Sequence, residues 1–299
     1  MKIGLIDVDS HNFPNLALMK ISAYHKAQGD EVEWWWGWGQ YDRVYMSKVF
    51  DETYSPDHPE PVNAREIIKG GTGYGLDNKL PDEIEHFFPD YSLYPELTKK
   101  KSFGFLTRGC PNNCPFCIVC AKEGRKSCKV ADLDQWWNGQ KEIVLQDPNL
   151  LACRDHMDLL GQLADSKAWV DMNQGLDARM LTEQNIDALN KVKIKRIHFA
   201  WDLMERSEAI LKGLNMYLEF GKIKDASRRE VYVLTNFNTT MEENLHRIYT
   251  LRDMDQGGYD PYVMVYDKPN APREIRRLQR WCNNKRIFKK CPRFEDYKG

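Results

Sequence analysis

The sequence predicts an α/β protein with parallel sheets, organised as a small N-terminal domain followed by a larger one. Short apolar segments typical of strands alternate along the chain with segments whose apolar residues recur at helical spacing. The length of 299 residues exceeds that of one average domain. A hydrophobic fraction of 42% is ordinary for a globular protein and is enough for a substantial core.

The first domain is predicted to begin with a βαβ unit. Residues 2-KIGLIDVD-9 form an apolar run without alternation, as a buried parallel strand does. Leu16, Met19 and Ala23 then recur at helical spacing, and Gly29 ends the helix before a second strand. A strand, a helix and a parallel strand in this order are the start of an α/β sheet.

The rest of the first domain is predicted to contain one more strand and a long irregular connection. Residues 42–50 have the composition of a third strand, and residues 51–81 are rich in Pro, Gly and acidic side chains. Within the connection, the glycine-dense segment 70–75 is interpreted as a flexible lid or linker, because it lacks the strand–helix context and the lysine of a phosphate loop. We place the domain boundary at the lysine run 98-TKKK-101, which gives domains of residues 1–97 and 98–299.

The second domain is predicted to contain six strand–helix units. Its strands are predicted at residues 103–107, 142–147, 168–173, 195–202, 230–237 and 262–267. Its helices are predicted at residues 155–166, 183–192, 205–221 and 241–253. Such alternation indicates a parallel sheet, either open or curled into a barrel, and six units are too few for a complete eight-stranded barrel.

Polar side chains stand where five of these strands end. They are Asp147, Asn173, Asp202, Asn236 and Asp267. In parallel α/β architectures the carboxyl ends of the strands share one side, where sites are built. Asp and Asn also begin turns and cap helices, so each of the five has a structural alternative.

Charge and hydropathy exclude several classes of protein. The 43 basic and 44 acidic residues leave a net charge of -1, so the whole molecule is not an electrostatic binder of nucleic acid and any basic surface must be local. No apolar run approaches the ~20 residues that a membrane span requires. The first residues form a strand rather than the apolar core of a signal peptide. We therefore expect a cytoplasmic protein without a membrane partner, in which clustered cysteines are metal or redox ligands.

Four of the eight cysteines lie in the segment 109-GCPNNCPFCIVC-120. Cys110, Cys114 and Cys117 have the spacing CxxxCxxC directly after the first strand of the second domain. Thiolates bind iron–sulfur clusters, and three of them leave one iron of a cubane open. Cys114, Cys117 and Cys120 form a second possible set of three ligands. A zinc site remains an alternative to an iron–sulfur cluster. A second cluster is a further alternative, with Cys120, Cys128, Cys282 and Cys291 as its ligands.

The CxxxCxxC motif, its place after a strand and the aromatic Phe116 before the third cysteine resemble the radical S-adenosylmethionine superfamily. The resemblance covers residues 100–270 and implies a partial (β/α)6 barrel of the TIM type. It implies a 4Fe-4S cluster held by Cys110, Cys114 and Cys117, whose fourth iron binds the amino and carboxylate groups of S-adenosylmethionine. Reductive cleavage of that cosubstrate would release a 5'-deoxyadenosyl radical that abstracts hydrogen from a substrate, with flavodoxin or ferredoxin as the electron donor.

The same resemblance implies which side chains orient S-adenosylmethionine. Asp147, in 145-LQDPNLL-151, corresponds to the position that binds the amino group, and Arg179 to one that pairs with the carboxylate. Asp202 corresponds to a ligand of the ribose hydroxyls, and Phe116 accompanies the cluster. Asn236 belongs to the segment implied for adenine contacts, where it and Asn238 stand in place of the family's glycines.

The first domain is similar to the N-terminal cobalamin-binding-like domain of one branch of this superfamily, over residues 13–33. The resemblance implies a small Rossmann-like α/β domain. Asp9, Ser10 and His11 begin the Asp-x-His motif with which some cobalamin proteins ligate cobalt, but Pro14 stands in place of the motif's glycine. We do not expect cobalamin, because the domain is short for enclosing a corrinoid.

The C-terminal segment 273-REIRRLQRWCNNKRIFKKCPRF-294 combines many basic side chains with interleaved aromatic ones. Basic and aromatic side chains together suit a phosphate backbone and unstacked bases. The structural alternative is a helix that packs Ile275, Leu278 and Trp281 while its arginines stay solvated. Two function classes follow: a radical S-adenosylmethionine enzyme acting on RNA or another phosphate-bearing substrate, and a non-catalytic zinc or iron–sulfur module that binds nucleic acid.

Overall fold

The computed structural model describes residues 1–299, and the chain separates into two compact units. The first consists of residues 1–104 and 132–143, and the second of residues 105–131 and 144–299. Both parallel sheets that the sequence predicts are present, so the α/β class is confirmed.

A four-stranded parallel sheet forms the centre of the first unit. Its strands are β1 (Lys2–Asp7), β2 (Glu31–Trp34), β3 (Tyr41–Ser47) and β4 (Ala64–Gly70), in the spatial order β2-β1-β3-β4. Helix α1 (Leu16–Ala27) joins the first two strands and is capped by Asn15, whose side-chain oxygen accepts the N–H of Leu18. The predicted βαβ unit is confirmed, and its strand order reverses at β1 as in doubly wound sheets.

The predicted connection at residues 51–81 contains a strand that the sequence analysis missed, namely β4. This strand lies at the edge of its sheet and has no fully buried residue, so it lacks the apolar run by which a strand is recognised. Two short helices follow, α2 (Asp82–Glu85) and α3 (Pro95–Thr98).

The glycine-dense segment 70–75 is packed against the chain rather than free. The N–H of Gly73 donates to the carbonyl of Lys48 at 2.9 Å. A Cβ on Gly71 would lie 2.3 Å from that carbonyl oxygen, and one on Gly73 would lie 2.3 Å from the carbonyl oxygen of Phe50. Gly71 and Gly73 are therefore explained by close backbone approach, not by a linker.

The second sheet has six strands. In chain order the remaining strands are β5 (Lys101–Gly104), β6 (Thr107–Arg108), β7 (Cys128–Lys129), β8 (Glu142–Leu145), β9 (Trp169–Met172), β10 (Ile194–Ala200), β11 (Arg229–Thr235) and β12 (Asp260–Val265). The sheet has the order β5-β8-β9-β10-β11-β12, while β6 and β7 pair separately and antiparallel. Apart from that hairpin, each strand lies beside the one that precedes it in the chain.

The four helices predicted for the second domain are present, as α5 (His156–Asp165), α6 (Glu183–Lys191), α7 (Ser207–Phe220) and α8 (Met241–Asp253). The second unit also contains α4 (Val119–Glu123), α9 (Arg273–Asn283) and α10 (Lys285–Lys290). Thr182 and Thr240 begin α6 and α8 with capping boxes, which fix both starts by satisfying the first free N–H groups. No helix of the structure combines the length and the apolar character needed to cross a membrane.

Candidate functional site

One cavity of about 450 Å³ in the second unit collects most of the residues predicted for the site. Its wall contains all three cysteines of the CxxxCxxC motif together with Phe116, Arg179 and Asp202. It also contains polar residues that were not predicted for the site, among them Asn149, Asp177 and Arg206. The volume falls within the range of about 300–1,000 Å³ that is usual for small-molecule sites. Residues distant in sequence thus share one concave surface.

The cysteine loop follows β6 and is shaped by two residues in the left-handed region. Gly109 has φ 84°, and a Cβ there would lie 2.2 Å from the carbonyl oxygen of Lys126. Asn113 has φ 44°, a conformation that Asn tolerates better than most residues. The N–H of Cys117 donates to the carbonyl of Cys114 at 3.0 Å. The loop therefore turns tightly enough to present three thiols to one cavity.

Two of the three sulfurs are approached by side-chain N–H donors. Asn149 Nδ2 lies 3.6 Å from the Sγ of Cys110, and Arg206 Nη1 lies 3.5 Å from the Sγ of Cys114. Arg206 Nη2 also donates to the carbonyl of Asn112 at 3.4 Å. Burial raises the pKa of the Cys114 thiol, and the guanidinium of Arg206 opposes that rise. The donors favour a negatively charged sulfur at both positions.

Asn149 also carries an unsatisfied acceptor. Its side chain is buried on the cavity wall, and its Oδ1 has no hydrogen-bond partner in the structure. An acceptor without a partner in a buried site costs free energy unless a ligand donates to it. This atom is therefore suited to an ammonium or another N–H donor in the cavity.

Arg179 is held by a bidentate ion pair. Its Nε and Nη2 donate to the two carboxylate oxygens of Asp177 at 2.8 and 2.6 Å. Asn112 also donates to Asp177, at 2.9 Å. Burial alone would raise the pKa of Asp177, but the Arg179 pair and the Asn112 amide hold it below its usual value. The fork geometry fixes the guanidinium in the cavity wall and leaves further N–H donors of Arg179 for an anionic ligand.

Asp202 lies on the cavity wall after β10. One of its carboxylate oxygens accepts the N–H of Leu234 at 3.1 Å. Burial raises the pKa of Asp202 to about 6 in spite of that bond and of nearby Arg247. The guanidinium of Arg247 is fully buried and donates to the carbonyls of Trp201, Asp202 and Leu234. Arg247 thereby ties the ends of β10 and β11 together and fixes where Asp202 stands.

The sheet carries a second polar cluster, centred on His198 of β10. Ala200 lines the cavity, and His198, two residues earlier in β10, projects from the same face of the sheet. The ring nitrogens of His198 lie 3.2 Å from Asp171 and 3.1 Å from Glu230. Burial alone would lower the pKa of His198, but these two carboxylates raise it. The histidine of this cluster pairs with both carboxylates, and none of the three side chains lines the cavity.

Asp147 differs from the sequence prediction. It is 4% exposed and does not line the cavity. Its carboxylate accepts the N–H groups of Leu106 and Thr107 and the hydroxyl of Thr107, at 2.6–2.8 Å. Burial raises its pKa to about 7 against these bonds. In the structure the predicted strand 103–107 ends at Gly104, and the N–H groups of Leu106 and Thr107 are used by this carboxylate.

Asn236 also has a conformational role. It has φ 64°, its Nδ2 donates to the carbonyl of Tyr266 at 2.8 Å, and it does not line the cavity. Asn238 has φ 47°. Both asparagines therefore adopt the left-handed backbone that glycines would supply. The neighbouring Phe237 packs edge-to-face on Phe116, with ring centroids 5.4 Å apart.

The other cysteines are placed apart from the three predicted ligands. Cys120 is not part of the cavity wall, and its Sγ lies 2.9 Å from the carbonyl of Cys110. Cys282 and Cys291 belong to an apolar cluster around α9, so the alternative second cluster has two of its ligands packed in a core. All eight cysteines are free, and no group of three or more His, Cys, Asp or Glu side chains is placed to hold a metal ion.

Sequence reasoning missed Asp177, Arg206 and Asn149 as residues of the site. Asp177 had a local signal, because an acid two residues before an arginine in a short turn can pair with it. Asn149 lies in the segment already predicted for the cosubstrate, two residues beyond Asp147. Arg206 begins α7 and had no signal, because its contact with Cys114 exists only in the folded chain.

Comparisons with known proteins do not assign the chain to a family. No protein-family model matches the sequence, and no curated protein matches it significantly.

Proposed function

We propose that this protein is a radical S-adenosylmethionine enzyme in which Cys110, Cys114 and Cys117 hold a 4Fe-4S cluster. The observation that carries the proposal is that one cavity contains these three thiols together with Asp202, Arg179 and Asn149. A structural zinc site uses four Cys or His ligands, and this cavity supplies three thiols. Three thiols match in number a cluster that keeps one iron open, and the cavity beside them leaves room for a cosubstrate.

The chemistry that the bound cofactors supply is reductive cleavage of S-adenosylmethionine to a 5'-deoxyadenosyl radical, which abstracts hydrogen from a substrate. The residues of the protein bind and orient the cosubstrate, and they exclude water. Phe116 lines the cavity and packs edge-to-face on Phe237, while Cys117 is exposed. Because side reactions with solvent compete with a radical step, we expect bound cosubstrate and substrate to complete the exclusion of water.

Three polar groups of the cavity match the polar parts of S-adenosylmethionine. Asn149 offers the unsatisfied Oδ1 to the ammonium, a role that replaces the one first expected of Asp147. Arg179 offers N–H donors to the carboxylate and is pre-oriented by Asp177. Asp202 offers its second carboxylate oxygen to a ribose hydroxyl, and with a pKa of about 6 it is mostly ionised at neutral pH.

We further propose that the six-stranded sheet and the helices between its strands form a partial (β/α)6 barrel. The six-stranded order β5-β8-β9-β10-β11-β12 supports it, because each strand is added beside the previous one on the same side. A doubly wound sheet would reverse direction at a switch point, as the four-stranded sheet does at β1. We further propose a flavodoxin- or ferredoxin-type electron donor and a reducing, cytoplasmic location.

Reconstitution of the full chain with iron and sulfide under anaerobic conditions tests the proposal. We expect a brown protein with about four irons and four sulfides per chain. Addition of S-adenosylmethionine and a strong reductant should then yield 5'-deoxyadenosine. A colourless protein with one zinc ion per chain would contradict the proposal and favour the non-catalytic metal-binding module.

Arg206 gives a second test, because its guanidinium lies beside the Cys114 sulfur. Arg206→Met removes a positive charge and an N–H donor, so the reduced, more negative form of the cluster loses stabilisation. We expect a more negative midpoint potential and a loss of about 10- to 100-fold in cluster affinity or turnover. Arg206→Lys keeps the charge and should restore part of the potential.

The measurement for Arg206 is a redox titration followed by electron paramagnetic resonance. It reports the potential separately from turnover, and a role in folding alone would leave the potential unchanged. An unaltered or more positive potential in Arg206→Met would contradict the proposed contact with the cluster ligand.

A further inference from the structure

A second cleft, of about 730 Å³, lies on the C-terminal part of the second unit. We call it the α9 cleft, because Arg276 and Arg280 of that helix line it, together with Lys268, Lys285, Arg286 and Tyr262. Its other lining side chains are three amides, and no carboxylate lines it. In a molecule of net charge -1, this is a local concentration of positive charge.

Four of the five basic side chains are not neutralised by the protein. Lys285 pairs with Asp260 at 2.7 Å and donates to the carbonyl of Pro261 at 2.8 Å, so it belongs to the framework of the cleft. The other four make no ion pair and no side-chain hydrogen bond, and all four are exposed; they are Lys268, Arg276, Arg280 and Arg286. Their charges are available to an anionic partner.

The cleft is held rigidly by the packing of α9. The opposite side of the helix buries Ile275, Leu278 and Trp281, as the sequence predicted for the structural alternative. Gln279 and Asn283 donate to the carbonyl of Val263 in β12, at 3.3 and 3.0 Å. Arg276 and Arg280 stand one helical turn apart on the free side. The packing predicted as the structural alternative is therefore present, and it leaves the basic side chains on the opposite face of the helix.

The aromatic side chains decide what kind of contact the cleft makes. Trp281, Phe288 and Phe294, which interleave with the basic residues in sequence, are buried in the apolar cluster around α9. They cannot stack on bases, so this part of the sequence interpretation is wrong. Tyr262 is the one aromatic residue that lines the cleft, and its ring packs edge-to-face on Tyr232, with centroids 6.0 Å apart. The cleft is therefore dominated by guanidinium and ammonium groups, and guanidinium groups bind phosphate oxygens bidentately.

We propose that the α9 cleft binds the phosphate backbone of a nucleic acid. The contacts come from Arg276, Arg280, Arg286 and Lys268, whose side chains are of the kind that bind phosphate oxygens and position a backbone. Binding through phosphates carries little base specificity and depends strongly on salt. This inference goes beyond the proposed function and does not depend on it, because it requires neither cluster nor S-adenosylmethionine.

The test is fluorescence anisotropy of the full chain with a labelled RNA and with a DNA duplex of the same sequence, over a range of salt concentrations. The variant is the double substitution Arg276→Gln and Arg280→Gln, which removes two charges at exposed helix positions. We expect weaker binding at every salt concentration, and a slope of log K against log salt that is smaller in magnitude by about 2. The polymer bound more tightly by the wild type identifies the partner as RNA or DNA.

The matched control removes two charges outside the cleft, by Lys289→Gln and Lys290→Gln. These residues are exposed in α10 and do not line the cleft. Their loss should leave the slope almost unchanged. The proposal would be overturned if both double variants lost the same amount of affinity, or if the Arg276/Arg280 variant bound like the wild type. It would also be overturned if neither polymer bound at low salt. Equally tight binding of heparin, lost in the same variant, would overturn the assignment to nucleic acid.

Discussion

Cys114→Ala should abolish both cluster retention and the formation of 5'-deoxyadenosine. Cys114 is the central cysteine of the motif, lines the cavity and is the thiol that Arg206 contacts. Its loss leaves two thiols on the cavity wall, which is one fewer than a cluster with one open iron requires. We expect iron in the reconstituted variant to fall to background, and turnover under strong reductant to be undetectable.

Cys120→Ala is the matched control for that loss. Cys120 lies in the same loop, but it does not line the cavity and its sulfur is directed to the carbonyl of Cys110. The variant should retain about four irons per chain after reconstitution. Full activity in Cys114→Ala would refute the assignment of the ligands. Loss of the cluster in Cys120→Ala, with retention in Cys110→Ala, would transfer the ligand role to the second triplet, Cys114, Cys117 and Cys120.

The fold was predictable where a segment carries its own signal. The helix predicted at 241–253 has those bounds in the structure, because Thr240 and Glu243 cap its start and its apolar residues keep helical spacing. Strand β4 was missed, since an edge strand of half-exposed residues resembles the irregular chain around it. The strand predicted at 103–107 ends at Gly104 in the structure, and the N–H groups of Leu106 and Thr107 donate instead to Asp147, a residue distant in the chain. That contact has no local signal.

The same distinction applies to the candidate site. That Cys110, Cys114 and Cys117 line one cavity was predictable, because three residues of one loop need no tertiary contact to lie close together. Arg179 and Asp202 rested on a resemblance, and the structure brings both to the cavity wall. The resemblance alone could not distinguish Asp147 from Asn149, two residues apart in one turn. Only the folded chain separates the residue whose carboxylate is used by the backbone from the one with a free oxygen.

The position of the ion pair between Asp177 and Arg179 depends on a glycine in α7. Gly213 lies in the middle of that helix, where glycine is unfavourable by about 1 kcal/mol relative to alanine. A Cβ at this position would lie 1.8 Å from the carbonyl oxygen of Ala178 and 2.7 Å from its carbonyl carbon. Ala178 stands between Asp177 and Arg179 in a 3-10 turn. The glycine is therefore explained by the contact between helix and turn that positions the ion pair.

Gly213→Ala should lower the free energy of unfolding by roughly 3 kcal/mol, even though alanine is the better helix former. The obstructing atoms belong to the backbone, so no side chain can rotate away, and α7 and the turn at Ala178 must move apart. Displacement of the turn shifts Arg179, so binding of S-adenosylmethionine should weaken as well. Denaturant unfolding measures the first effect, and equilibrium binding of the cosubstrate to the reconstituted protein measures the second.

Gly161→Ala is the matched control, because Gly161 lies inside α5 with no heavy atom within 4 Å of a Cβ. Here only the helix propensity acts, and stability should rise by up to ~1 kcal/mol. A lower free energy of unfolding in Gly213→Ala and a higher one in Gly161→Ala would separate the effect of close packing from that of backbone entropy. If Gly213→Ala were as stabilising as Gly161→Ala, α7 would not contact the turn at Ala178, and the proposed orientation of Arg179 by that contact would be wrong.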